Sequence, residues 1–374
     1  MRLPPLVEPG PPLGEAEARR TARQARLAEI GELGQRRLAA ARIVVVGAGG
    51  LGAPALLYLA AAGVGTIGII DDDTVDASNL QRQIVHGTAD VGRSKVESAT
   101  ERLHEIAPEL TVIPHEVRID DASAREVFAG YDLVLDGSDN FDTRYAVADA
   151  AAALGIPLVW GSVLRFDAQV SVFWSAPPAP AEGVTLRDLF PAPPPEGSVP
   201  SCSEAGVLGP VCGVAGSLMA AEAVKLIVGT GDALLGRILV VDGLSARVSE
   251  IPLRAQAPTD VAPSVTTPTR SLLQEPAPVA SLADVDRGGH VIVDVREPGE
   301  FAVDPLPGAI SVPLSDLLRA RDDLELPSGD LLLYCVSGER AHRAARLLNR
   351  RGHVARVLET DVVDVLRARG EANA

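Results

Sequence analysis

Glycines and a carboxylate near the start of this 374-residue chain have the types and spacing of a nucleotide site. Gly47, Gly49 and Gly52 follow the pattern GxGxxG, with a fourth glycine at Gly50. Glycines at this spacing let the backbone approach phosphate oxygens, and the helix that follows offers N–H donors and a positive dipole end. Asp71 ends the next β-rich run and can accept hydrogen bonds from a ribose. These residues predict a nucleotide site, but they leave the nucleotide and the reaction open.

Basic side chains and further carboxylates follow the glycines. Arg82 lies in a polar stretch, Thr74–Gln83, which we predict to be a loop at the carboxyl end of the sheet, where open α/β sheets bind ligands. Lys95 follows Ser94, a predicted N-cap, and a cation at a helix N-terminus is disfavoured unless an anion lies beside it. The motif Asp136–Asn140 follows a buried strand, and its oxygens either cap the next helix or bind Mg²⁺.

Three cysteines differ in their surroundings. Cys212 lies in an apolar run and is predicted to be in the core, whereas Cys202, in a polar stretch, is predicted to be a reactive thiol. Cys335 ends a buried strand and precedes a helix, whose dipole is predicted to lower the thiol pKa below its usual value of about 8.5. Arg340, in the same loop, could bind an oxyanion. The cysteines form no disulfide framework, which predicts a reduced, cytoplasmic protein.

Strands and helices alternate along most of the chain, which predicts an α/β fold. We expect a Rossmann-like, doubly wound mixed sheet followed by a smaller C-terminal α/β domain. The predicted boundaries are a disordered, proline-rich N-terminus at 1–14, a nucleotide-binding domain at 15–252, a linker at 253–278 and the small domain at 279–374.

Composition excludes several classes of partner. The net charge of −16 argues against non-specific binding of nucleic acid or of an anionic membrane surface. The N-terminus lacks the apolar segment of a secretory signal, and no apolar run approaches 18 residues without glycines or charges. We therefore predict neither a signal peptide nor a membrane span.

Several motifs resemble those of the MoeB/ThiF/HesA family, bacterial relatives of ubiquitin-activating enzymes. They are VVVGAGGLGAPALLYLAAAGVG, DDDTVDASNLQRQ, VGRSKVESA, LVLDGSDNFDTR and VPSCSEAGVLGP. In the C-terminal part, DVREPGEF and CVSGER resemble a rhodanese. The order of the two parts is similar to that of MoeB–rhodanese adenylyltransferase/sulfurtransferases.

The resemblance implies a two-stage reaction on a ubiquitin-like sulfur carrier of the MoaD, ThiS or CysO type. ATP would adenylate the C-terminal glycine of the carrier, and a persulfide on Cys335 would then supply sulfur to give a thiocarboxylate. The enzyme would be a homodimer, in which Arg23 acts on the partner's ATP. The residues implied to bind the nucleotide are Gly47, Gly49, Gly50, Gly52, Asp71, Ser78, Asn79, Arg82, Lys95, Asp139 and Asn140, with Mg²⁺ on Asp139. Those implied in catalysis are Cys335, Cys202, Arg23, Arg82, Lys95 and Arg340.

The sequence departs from the family pattern in two ways that affect chemistry. Many relatives bind a structural zinc ion with two CxxC pairs, but Thr185–Asp188 and the segment after Leu253 contain no cysteine, so no zinc is predicted. Val336 and Ala341 stand where rhodaneses often have Arg and Ser. This loss of positive charge near the sulfur would make use of thiosulfate less efficient, so the sulfur donor is either thiosulfate or a persulfide protein.

Three alternatives stay open on the sequence. The N-terminal domain could adenylate while another protein supplies sulfur, leaving the rhodanese domain accessory. The glycine motif alone also fits an NAD-dependent oxidoreductase, and an inactive relative could present a carrier without adenylating it. Lys95, Arg82 and Asp139 favour an active enzyme that binds a triphosphate over an oxidoreductase or an inactive relative.

Overall fold

The structure is a computed structural model that describes residues 2–194, 205–255, 278–318, 329–335, 338–358, 362–363 and 365–366. The chain divides into two compact units, 1–259 and 260–374. Most of the predicted linker at 253–278 lies outside the described residues.

The first unit is built on a mixed sheet of eight strands in the order β3-β2-β1-β4-β5-β6-β7-β8. The first five strands along the chain are parallel, and β6, β7 and β8 extend the sheet as antiparallel neighbours. The strands are β1 Arg42–Val46, β2 Thr66–Ile70, β3 Thr111–His115, β4 Leu133–Asp136, β5 Leu158–Leu164, β6 Asp167–Phe173, β7 Arg237–Asp242 and β8 Arg247–Pro252. This arrangement confirms the predicted Rossmann-like mixed sheet.

Helices cover both faces of this sheet and bury two apolar clusters against it. The described helices are α1 Glu15–Ala25, α2 Gly31–Ala40, α3 Gly52–Ala62, α4 Lys95–Ile106, α5 Ala124–Phe128, α6 Phe141–Leu154, α7 Leu186–Leu189 and α8 Gly209–Val228. Strands β1 and β2 read as continuous apolar runs because helices cover both of their faces.

Strand order reverses between β1 and β4, which both lie in the centre of the sheet. The loops that leave the carboxyl ends of these two strands separate there and open a crevice, the usual ligand site of open α/β sheets. The glycine turn follows β1, and Asp136–Asn140 follows β4. The fold therefore brings the two main sequence motifs to the same crevice.

The proline-rich N-terminal segment is ordered, which corrects the prediction of disorder. Leu3 is only 7% exposed and belongs to the main core cluster. The Leu6 N–H donates to the Leu226 carbonyl at 3.0 Å, and Arg2 Nε donates to the Gly229 carbonyl at 3.0 Å. Composition suggested a solvated chain, but a few apolar side chains and backbone hydrogen bonds hold it against the end of α8.

Helix α8 is long and apolar enough to cross a membrane by length and composition, the one such helix among the described residues. Most of it is buried inside the first unit, where it packs against α3 and β5. Buried core helices can have the same length and composition, so this helix is weak evidence for a membrane span.

The second unit is a five-stranded parallel sheet in the order β11-β10-β12-β13-β9. Its strands are β9 Val279–Ala280, β10 His290–Asp294, β11 Ile310–Ser311, β12 Asp330–Tyr334 and β13 Ala355–Leu358. Its helices are α9 Leu282–Arg287, α10 Pro298–Val303, α11 Leu314–Leu318 and α12 Glu339–Arg350. The predicted smaller α/β domain is therefore present.

Candidate active site

A cavity of about 360 Å³ lies in the crevice between the loops that follow β1 and β4. Eight of the predicted nucleotide-binding residues line it: Gly47, Gly49, Gly50, Asp71, Arg82, Lys95, Asp139 and Asn140. Gly52, Ser78, Asn79 and Arg23 do not line it.

The glycine turn is shaped by close backbone contacts. Gly47 has a positive φ of 89°, which favours glycine. A Cβ on Gly52 would lie 1.8 Å from the Gly47 carbonyl oxygen, so Gly52 lets helix α3 begin against the turn. This explains why Gly52 contributes packing and does not line the cavity.

Two side chains also hold the peptide groups of Ala48 inside the turn. Asp71 Oδ2 accepts a hydrogen bond from the Ala48 N–H at 2.8 Å, and His86 Nε2 lies 3.2 Å from the Ala48 carbonyl oxygen. Burial lowers the pKa of His86, which favours its neutral form. The sequence did not point to this use of His86.

Lys95 begins helix α4, and Ser94 is its N-cap, as predicted. The lysine is only 5% exposed, and its Nζ lies 2.8 Å from Asp73 Oδ2 and 3.7 Å from Asp71 Oδ1. Burial raises the pKa of Asp71, and the charge of Lys95 partly opposes this shift. The anion expected beside Lys95 is therefore supplied by the protein itself.

The polar loop after β2 contains a short 3₁₀ turn, Ala77–Asn79. Ser78 donates hydrogen bonds from its N–H and its hydroxyl to Asp76 Oδ1, at 2.7 and 2.6 Å. The Asn79 carbonyl accepts the N–H of Arg82 at 3.0 Å, so the turn directs Arg82 to the cavity. Arg23, on α1, is exposed.

In the motif after β4, Asn140 caps the next helix, whereas Asp139 has no such role. Asn140 Oδ1 accepts the Thr143 N–H at 2.9 Å and caps helix α6, which leaves the exposed Asp139 free of that role. Asp136 is fully buried, and its Oδ1 accepts the Ser138 N–H at 2.9 Å. Burial raises the pKa of Asp136, and the nearby Arg144 opposes the rise.

Several lining residues were missed by sequence reasoning, although most lie within the quoted motifs. Arg144 donates to the Ser138 carbonyl from Nε and Nη2, at 3.2 and 3.1 Å, and so holds the turn that carries Asp139. Arg118 follows β3 and is exposed, whereas Gln83 is buried. Cys212, confirmed as a core residue, also borders the cavity.

The second unit places Cys335 directly after β12, with a side chain that is only 2% exposed. Arg340, in the first turn of α12, forms a bidentate ion pair with Glu300 at 2.6 and 2.8 Å. Hydrogen bonding to Glu300 raises the pKa of Arg340, and the charge of Cys335 contributes. The positive charge predicted to bind an oxyanion is thus shared with a carboxylate.

Two other predictions concern the crossover between β6 and α8. Cys202 lies outside the described residues. At Thr185–Asp188, Thr185 donates from its N–H and its hydroxyl to Asp188 Oδ2, at 2.7 and 2.8 Å, and Arg187 pairs with Asp149. These contacts hold the segment in which the sequence analysis noted the absence of a CxxC pair.

The fold and the cavity define the class of the protein: a Rossmann-like nucleotide-binding protein that carries a second, smaller α/β unit. Residues 21–262 match the ThiF family and residues 279–367 match the rhodanese-like domain. The chain therefore belongs to the ThiF family and carries a C-terminal rhodanese-like domain.

Relatives with both parts are named adenylyltransferase/sulfurtransferases. The chain is 45% identical over 365 residues to the probable adenylyltransferase/sulfurtransferase MoeZ of Mycobacterium tuberculosis, covering 94% of this chain and 93% of MoeZ. It is 41% identical to the bovine adenylyltransferase and sulfurtransferase MOCS3, covering 84% of this chain and 74% of that protein. A sulfur carrier protein adenylyltransferase of Thermus thermophilus is 49% identical over 62% of this chain and 86% of its own length.

Solved structures support the fold of the first unit. Escherichia coli MccB in complex with ATP aligns with a TM-score of 0.53 and 20% identity, over 61% of this chain and 68% of MccB. PaaA aligns with a TM-score of 0.54 and 21% identity, over 65% and 76%.

Proposed function

We propose that this enzyme uses ATP to adenylate the C-terminal glycine of a ubiquitin-like sulfur carrier and then converts the adenylate to a thiocarboxylate. The observation that carries the proposal is the convergence of the Gly49–Gly50 turn, Arg82, Lys95 and Asp139 on one cavity. A glycine turn with two cations suits the phosphates of ATP. The named relatives carry the same two activities.

The charges that line the cavity balance one another, so binding of a triphosphate would need further positive charge. Among the described lining residues, four cations face four carboxylates: Arg82, Lys95, Arg118 and Arg144 against Asp71, Asp72, Asp73 and Asp139. A triphosphate therefore enters a site with no net positive charge of its own. Mg²⁺ held by Asp139, with oxygen ligands that suit this ion, would neutralise charge on the phosphates. Arg23 of a second copy would add another positive charge.

The second unit is the proposed source of sulfur. Cys335 would carry a persulfide, whose terminal sulfur attacks the acyl-adenylate and displaces AMP, giving an acyl disulfide. Two equivalents of a cellular thiol would then reduce the S–S bond, which releases the thiocarboxylate and free Cys335 and leaves the thiols as a disulfide. Because Glu300 shares the charge of Arg340, a persulfide protein fits this site better than the anion thiosulfate. A reduced cytoplasmic setting would keep Cys335 available for this role.

The test of the proposed function is carrier-dependent exchange of pyrophosphate into ATP, measured with candidate carriers that end in glycine. We expect exchange by the wild-type enzyme and a loss of about a hundredfold or more for Asp139→Ala, because phosphate charge is no longer neutralised. Asp142→Ala is the matched control, since Asp142 is also exposed but does not line the cavity. Full exchange by Asp139→Ala would refute the Mg²⁺ role, and reduction of NAD without exchange would refute adenylation.

A further inference from the structure

Gln83 is a buried polar side chain on the wall of the nucleotide cavity that no part of the site yet uses. It is only 4% exposed and lines the cavity. Its Oε1 is buried and has no hydrogen-bond partner among the residues that the structure describes. A buried oxygen without a partner costs roughly 1–3 kcal/mol, so such groups in native proteins usually meet a ligand, an ion or water.

Gln35 in the same unit shows how a structural glutamine is satisfied. It is 1% exposed, its Nε2 donates to the Ala62 carbonyl at 2.8 Å, and its Oε1 accepts from Gln24 Nε2 at 2.9 Å. Both ends of that amide are therefore used within the fold. Gln83 lacks this arrangement, which argues against a purely structural role.

The backbone of Gln83 makes two hydrogen bonds, whereas no described residue pairs with its Oε1. Its N–H donates to the Asn79 carbonyl at 3.0 Å, and its carbonyl accepts the His86 N–H at 3.1 Å. Nε2 lies 3.6 Å from the position that a Cβ on Gly49 would occupy. The amide thus stands against the face of the glycine turn from which a side chain is missing, and a half-turn of its terminal bond exchanges its oxygen and nitrogen.

We propose that Gln83 donates a hydrogen bond to the α-phosphate of the bound nucleotide, an inference that rests on the proposed adenylation. Asp71, the predicted ribose ligand, holds the N–H of Ala48, and Gly49 is the next residue. The phosphate nearest the ribose would therefore lie against Gly49 and the Gln83 amide. A phosphate oxygen only accepts hydrogen bonds, so it would meet Nε2, the amide atom that already lies on the Gly49 side, while Oε1 would accept a hydrogen bond from a water molecule that enters with the nucleotide.

This contact would act at the reacting atom. The carrier carboxylate attacks the α-phosphorus, and negative charge builds on its oxygens before pyrophosphate leaves. A neutral donor placed there stabilises that charge without changing the net charge of the cavity. Arg82 and Lys95 would remain the ligands of the more distant phosphates.

Binding of adenosine, AMP and Mg²⁺·ATP to the full-length protein, measured by calorimetry, tests this inference without any carrier. We expect Gln83→Met to bind adenosine like the wild type but to bind AMP and ATP about tenfold more weakly, because a hydrogen bond to a charged group is lost. Gln81→Met is the matched control, since Gln81 is exposed and does not line the cavity.

A second variant, Gln83→Glu, keeps the shape and polarity of the side chain but repels a phosphate, so it should weaken AMP binding further. Equal binding of AMP by the wild type and either Gln83 variant would overturn the inference, as would an equal loss for adenosine and AMP. A wild-type protein that binds neither AMP nor ATP would instead refute the proposed adenylation itself, and this inference with it.

Discussion

At the scale of single residues, the cavity contains buried charges that are balanced before any ligand arrives. Lys95 is paired with Asp73 and lies near Asp71, so its ammonium group is compensated within the protein. A buried ammonium without such partners would be strongly disfavoured. The carboxylates thus hold a cation at a helix N-terminus, where the dipole opposes it, and under the proposed function a phosphate would replace one of them.

Asp136 lacks a full set of partners, and this predicts a pH dependence of stability. Burial raises its pKa above the ordinary value of 3.8, and no residue in the described part of the chain forms a hydrogen bond with its Oδ2. Ionisation therefore costs more in the folded than in the unfolded state. The folding free energy linked to this group is fully present below pH 3.8 and is lost as pH rises through the higher folded-state pKa.

We therefore expect Asp136→Asn to be more stable than the wild type near neutral pH. Asparagine can still accept the Ser138 N–H while carrying no charge. The gain should shrink as pH falls and vanish below the unfolded-state pKa. Denaturant unfolding at several pH values measures it, and a constant difference between the two proteins at every pH would contradict the assignment.

Cys335 gives a second prediction at this scale, for the sulfur step. Cys335→Ala should keep carrier-dependent pyrophosphate exchange at the wild-type rate but stop thiocarboxylate formation from a sulfane donor, because no persulfide can form. Mass spectrometry of the carrier distinguishes the two products.

Free sulfide is the control for that variant, because it can attack the adenylate directly and should restore the thiocarboxylate. Normal thiocarboxylate formation by Cys335→Ala from the sulfane donor would favour the alternative in which another protein supplies sulfur.

At the scale of secondary structure elements, the site depends on how helices begin. Helix α3 begins against the glycine turn, α4 begins at Lys95, and α6 begins after the Asn140 cap. Each start places a different chemical group on the cavity: backbone N–H donors, a cation and a carboxylate. The reversal of strand order between β1 and β4 brings these starts together.

The cap of α6 is testable by substitution. Asn140→Ala should destabilise the first unit by about 1 kcal/mol, because the Thr143 N–H loses its acceptor. For a unit of this size the melting temperature should fall by about 2–4 °C. Asn140→Asp keeps the acceptor and should melt like the wild type. Equal melting of the Ala and Asp variants in calorimetry would show that the cap contributes nothing.

The sequence predicted what depends on local patterns and missed what depends on distant contacts. The glycine turn, the Ser94 cap and the strands before and after them are local, so they were predicted. Residue types alone could not show that Asp73 pairs with Lys95 or that Asn140, and not Asp139, caps α6. Gln83 lay within a quoted motif, but its burial arises from the packing of the whole loop. The ordered N-terminus was missed because its partners lie on α8, more than 200 residues away.

At the scale of the whole molecule, the proposal needs a second copy of the chain. Arg23 is exposed on α1 and does not line its own cavity, yet the described residues that line the cavity carry no excess of positive charge. A homodimer in which each Arg23 reaches the other subunit's nucleotide would supply that charge. Cyclic dimers of this kind form two equivalent sites.

Mixing of inactive variants tests this arrangement. Arg23→Ala and Asp139→Ala should each abolish pyrophosphate exchange, but a heterodimer would contain one intact site, formed by Asp139 of one subunit and Arg23 of the other. Random re-association should then restore about a quarter of the wild-type rate. If Arg23 acts in its own subunit, mixing will restore nothing. Arg26→Ala, on the same exposed part of the chain, is the matched control.

The ordered N-terminal segment has a mechanical consequence for the reaction. It anchors the C-terminal end of α8 through Arg2 and Leu6, while the N-terminal part of that helix borders the cavity through Cys212. The helix is therefore held at its C-terminal end, while its N-terminal end borders the cavity. Removing the first six residues would free the held end and, through this single helix, loosen the part of the cavity wall that Cys212 forms.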